Sequence, residues 1–208
     1  MENLKLAGVE AFVFMEGSLS CGVYRTTLKN QRLGKPPGVF GSLLLSEQLF
    51  LISAADLESP IKWWDWRRRL HAFVWLKRKE MKTKNELIDI WHSLKYLCQE
   101  SSRIRSDELG KALGEMPVKL SQKFIDDTKR QMLDILRLPS TIQRVKSAAE
   151  KQMAFYCKRF NVCFENKLPQ AESGKKKFTE KLIELEKRAL KENLDYGFVP
   201  VLYRETRD

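Results

Sequence analysis

Between residues 59 and 160 the chain is punctuated as a run of helices with short connections, and that punctuation constrains the fold more than any other feature. Ser59-Pro60 opens the run: a hydroxyl that can accept from free backbone N–H groups, then a proline whose fixed φ suits the first helical position. The pattern carries this helix to about Lys82. Thr83 with Glu86 three residues later is a capping box. Leu87, Ile90, Trp91, Leu94, Leu97 and Cys98 then recur at helical spacing to about Glu100. Ser106 caps a short helix over 107–115. Pro117 opens another that carries Leu120, Phe124, Thr128, Met132, Ile135 and Leu136 on one side. Pro139-Ser140 stops it and starts the next, whose stripe is Ile142, Val145, Ala148, Ala149, Met153 and Tyr156. Four longer helices and one short one, joined by brief loops, predict a compact bundle.

The flanks read differently. Residues 9–15 are apolar and β-prone, and 19–28 alternate with Val23, Tyr24, Thr26 and Thr27. Gly34, Pro36, Pro37 and Gly38 mark a loop. Residues 39–45 and 48–52 fit a hairpin, and a helix over 43–51 fits almost as well. Towards the other end, 170–177 read as a linker with Gly174 and three lysines, 178–193 as a helix closed by Gly197, and 198–203 as an edge strand because of Pro200. The expected fold is therefore α+β and predominantly helical. A small N-terminal antiparallel sheet, joined by the C-terminal edge strand, packs with a five- or six-helix bundle. The parts are 1–57 (β-rich), 58–168 (bundle) and 169–208 (linker, helix and edge strand), together one compact unit.

The chain has no stretch of 18 uncharged apolar residues, so no membrane-spanning helix is expected. Its first residues lack a basic region, an apolar core and a small-residue cleavage site, which predicts a cytoplasmic rather than a secreted protein. Cys21, Cys98, Cys157 and Cys163 form no Cys-x-x-Cys pair, and His71 and His92 are the only histidines. Neither a metal site nor a cofactor is expected, and the cysteines read as reduced.

Charge carries the functional reading. The 208 residues hold 38 Lys and Arg against 27 Asp and Glu, a net of +11. Eight basic and three acidic side chains give residues 58–82 a net of +5; six and two give 139–170 a net of +4; residues 1–57 are neutral. Clustered charge of this kind attracts polyanions. On a helical wheel Trp63, Trp66, Leu70, Phe73 and Val74 share one face of 59–82 and predict its core side. The opposite side carries Trp64, Arg68, His71, Trp75, Arg78, Lys79 and Lys82, with Arg67 beside it. In the second cluster Arg144, Lys151 and Lys158 stand seven residues apart and form one stripe, with Lys146 and Arg159 nearby.

Cations can contact phosphates, and Trp64 and Trp75 can stack on unpaired bases. The sequence is thus read as a nucleic-acid-binding protein, or the nucleic-acid-contacting subunit of a complex. The candidate contacts are Trp64, Arg67, Arg68, His71, Trp75, Arg78, Lys79, Lys82, Arg144, Lys151, Lys158 and Arg159 in one groove, and single-stranded DNA or RNA is favoured over duplex. The competing readings are tryptophans buried in the fold, a solvated basic face without a partner, a helix lying on an anionic membrane surface, and an adaptor or chaperone subunit whose basic faces dock acidic proteins. There is no Walker A loop, Gly-x-Gly-x-x-Gly, Gly-x-Ser-x-Gly or His-Glu-x-x-His. Asp126 and Asp127 are neighbours that point about 100° apart on a helix. His71 has no evident acid partner, and an enzyme is not expected.

Overall fold

The computed structural model describes residues 2–23, 26–28, 31–33, 37–117 and 120–192. The chain divides into two compact units, one ending at Ser59 and one beginning at Pro60.

The first unit contains α1 (Glu2–Leu6), β1 (Ala11–Phe14), β2 (Thr26–Leu28), β3 (Gln31–Leu33), α2 (Val39–Ser46), β4 (Phe50–Ser53) and α3 (Ala54–Leu57). β1 pairs with β4 in parallel, Ala11 opposite Phe50 and Phe14 opposite Ser53, in place of the antiparallel sheet expected; β2 and β3 form a separate antiparallel pair. The reason lies in residues 39–46. Their apolar run fits strand and helix equally by periodicity, and it folds as α2, which makes the β1–β4 link a crossover and parallel pairing possible. Close backbone packing favours the helix: a Cβ on Gly41 would lie 2.2 Å from the carbonyl oxygen of Gly22, so only glycine fits. Phe14, Val23, Leu44, Leu49 and Leu51 form this unit's core.

The second unit is the helical bundle: α4 (Pro60–Arg78), α5 (Lys84–Ser101), α6 (Arg103–Gly114), α7 (Gln122–Arg137), α8 (Ile142–Phe160) and α9 (Glu172–Lys191). The capping box is present. Thr83 Oγ1 accepts from the Glu86 N–H at 3.2 Å, and Glu86 Oε2 accepts from the Thr83 and Lys82 N–H groups at 2.9 and 2.8 Å. Ser121 and Thr141 cap α7 and α8 through the N–H groups of Phe124 and Arg144.

Four helix starts differ from those expected, α8 being capped by Thr141 rather than Ser140. α7 opens at Gln122 rather than beside Pro117, because Ser121 supplies the cap. α6 opens at Arg103, which places Ser106 inside the helix; its hydroxyl is buried and donates to the Lys95 carbonyl at 3.5 Å instead of capping. Residues 172–177, expected as linker, are the first turns of α9. Gly174 permits this, because a Cβ there would lie 2.6 Å from Pro169 Cβ.

α4 is the central helix and packs against α5, α7, α8 and α9. Ile61 and Trp64 of α4, Val145, Ala149, Met153 and Tyr156 of α8, and Phe178, Leu182 and Leu185 of α9 share one core cluster. The expected strand over 198–203 and the Gly197 cap lie outside the described residues. No described helix is long and apolar enough to cross a membrane.

Candidate nucleic-acid interface

A helix packed on four neighbours has little surface left, and α4 buries charge as well as apolar groups. Trp64, Asp65, Trp66, Arg68 and Arg69 are all buried, while Trp63, expected in the core, is 42% exposed. Three carboxylates match three arginines. Arg67 pairs with Glu186. Arg68 Nη2 reaches Asp65 Oδ1 at 3.2 Å and Glu100 Oε2 at 2.7 Å. Arg69 Nη2 meets Asp65 Oδ2 at 2.8 Å, and its Nη1 donates to the Leu136 carbonyl at 3.2 Å and to that of Leu138, at the end of α7.

The tryptophans complete this arrangement. Trp64 Nε1 donates to Glu186 Oε1 at 2.9 Å, and the Arg68 guanidinium lies 3.7 Å from the centroid of the Trp64 ring. Among the described residues Arg68 Nε and Nη1 have no hydrogen-bond partner, and the π face of Trp64 is what they meet. Burial opposes the charge on Arg68, but the carboxylates of Glu100 and Asp65 outweigh it and its pKa is raised. Trp64 and Arg68 are therefore interior groups, and the geometry removes them from the expected binding face. Arg67, mostly buried and committed to Glu186, goes with them. The pattern of α4 concealed this because the partner carboxylates lie 32 and 119 residues away in sequence.

Trp75 and Arg78, with Lys79 and Lys82 just past α4, surround its C-terminal end, and His71 lies about two turns earlier. His71 is half-buried, and burial together with the charge of Arg67 lowers its pKa. Trp75 is half-buried with Lys79 Nζ 5.6 Å from its ring centroid. Arg78 is exposed, and Lys82 sits 3.1 Å from Glu80. Lys129 Nζ donates to the carbonyls of Lys77 and Lys79 at 3.1 and 2.6 Å. Asp126 lines this end too, so it is mixed in sign.

This group and the α8 stripe do not share one groove. Lys82 adjoins the start of α5, whereas Arg144 Nη1 donates to the Ser101 carbonyl at its end, 2.9 Å away. The 18 residues of α5 separate them by about 27 Å at ~1.5 Å per residue.

What the structure does bring together is a groove of about 450 Å³ between the end of α5, the start of α6 and the first half of α8. Arg103, Arg144 and Lys151 line it, with Tyr96, Gln99, Glu100 and Ser147. Among the described residues its one lining carboxylate, Glu100, is paired from behind by Arg68, while Arg103 Nε lies 3.5 Å from Asp107 Oδ2. Tyr96 is 40% exposed. Lys158 and Arg159 are exposed further along α8. Sequence reading missed Tyr96 and Arg103; the extended Ser102 between α5 and α6 breaks the helical register, so their spacing carried no signal.

Cys98 and Cys157 are buried, Cys163 is exposed, and burial pushes the Cys98 thiol up to about 12. No group of three His, Cys, Asp or Glu side chains suited to a metal occurs among the described residues. Comparison with protein families, curated proteins and solved structures finds no match.

Proposed function

We propose that the chain binds nucleic acid through the groove between α5, α6 and α8, by itself or as the nucleic-acid-contacting subunit of a complex. The observation that carries this reading is the convergence of Arg103, Arg144 and Lys151 on one hollow where, among the described residues, the one lining carboxylate is paired to Arg68, Arg103 being also 3.5 Å from the exposed Asp107. Phosphate oxygens are the natural partners of such a set, and affinity then falls steeply with salt. Lys158 and Arg159 extend the positive surface along α8. The unpaired cysteines support a reducing setting such as the cytoplasm.

The test is a titration of labelled single-stranded DNA, duplex DNA and RNA at several salt concentrations. Arg144→Ala and Lys151→Ala together weaken binding and reduce the salt slope by about one unit per lost phosphate contact. Unchanged affinity and slope refute the proposal.

A second reading, docking of an acidic protein, is favoured by one observation: Ile104, 73% exposed, and Ile142, 45% exposed, stand near Arg103 and Arg144 in the chain. Nucleic acid carried through purification, with a 260/280 absorbance ratio that falls after a high-salt wash, supports the first reading; a clean protein that binds acidic protein and no oligonucleotide supports the second.

A further inference from the structure

The size and lining of the groove narrow the nucleic acid it takes, on the basis of the binding reading above. A hollow of about 450 Å³ is the size of a small-molecule site. A nucleotide fits such a space; a double helix does not enter it. Arg144 and Lys151 stand seven residues apart on α8, about 10 Å along its axis. Tyr96, a residue 40% exposed, lines the same hollow, and Lys95 Nζ lies 5.0 Å from the ring centroid. Arg144 and Lys151 line the same hollow as this ring and can take the phosphates next to a base lying in it.

Two of the lining polar groups have other commitments, and Ser147 is the third. Gln99 Nε2 donates to Asp107 Oδ1 at 3.2 Å, and Glu100 is bound to Arg68. Ser147 remains to meet a base edge, and stacking, which accepts any base, is the larger contact.

We infer that the groove binds one unpaired nucleotide of a single strand, its base stacked on Tyr96 and its neighbouring phosphates on Arg144 and Lys151, with little preference among bases. The test is fluorescence anisotropy of the full chain with a labelled thymidine octamer, its abasic counterpart, and adenine and cytosine octamers. The thymidine octamer binds about tenfold tighter than the abasic one, within the range for one stacked base. Tyr96→Phe keeps that difference; Tyr96→Leu abolishes it without changing abasic binding. Equal affinity of wild type for the two octamers, sensitive to Arg144→Ala and Lys151→Ala, overturns the inference and leaves phosphate binding standing. Binding of neither octamer at low salt overturns both. A preference above about tenfold for one base overturns the stacking mode.

Discussion

Glu186 joins three helices, and its removal is the sharpest test of the buried charge network. From α9 its Oε1 accepts from Trp64 Nε1 of α4 at 2.9 Å and from Gln152 Nε2 of α8 at 3.3 Å, while its Oε2 pairs with Arg67. Glu186→Ala leaves the buried Trp64 N–H without an acceptor, a cost of about 1–3 kcal/mol. It also takes the Glu186 carboxylate from Arg67, and breaking a buried pair costs about 3–5 kcal/mol. Arg67 is 13% exposed and can turn partly to water, so these overlapping losses total about 3–5 kcal/mol rather than their sum. Glu186→Gln keeps an oxygen for Trp64 and loses the charge, costing about 1–3 kcal/mol. Urea unfolding followed by tryptophan fluorescence measures both, and an unchanged m-value shows that the effect is on stability. As a control, Glu184→Ala removes an exposed pair with Lys181 and costs less than about 1 kcal/mol. A loss below about 1 kcal/mol for Glu186→Ala, or equal losses for the Gln and Ala variants, refutes the reasoning.

Thr83→Ala removes one half of the α5 capping box and lowers stability by about 1 kcal/mol in the same assay. Gly174→Ala brings a Cβ against Pro169, and a cost of about 1–3 kcal/mol is expected even though alanine is the better helix former. His71 has a pKa lowered below 6.5 by burial and by Arg67, so the unfolded chain binds its proton more readily. Its contribution to stability is complete above the unfolded value and is lost as pH falls through the folded value. The stability of wild type relative to His71→Gln therefore declines as pH is lowered from about 7.5 to about 5; a constant or growing difference contradicts this.

The sequence by itself determined the helices of the bundle and several of their ends. Thr83 with Glu86, and the stripes of α5, α7 and α8, act within a few residues of themselves, where spacing decides the outcome. The same local rules read 39–45 as strand, with a helix over 43–51 almost as good, and the approach of Gly41 to Gly22 is a tertiary contact. Tertiary structure alone decided which cations remain on the surface. Arg67, Arg68 and Trp64 look like a binding face on a wheel, but Glu100 and Glu186 arrive from distant helices and draw them inside. Arg103 and Arg144 gather with Tyr96 only because α6 and α8 both begin beside the end of α5. Helix formation is set by neighbours along the chain, whereas the surface position of a charge depends on the partners that packing supplies.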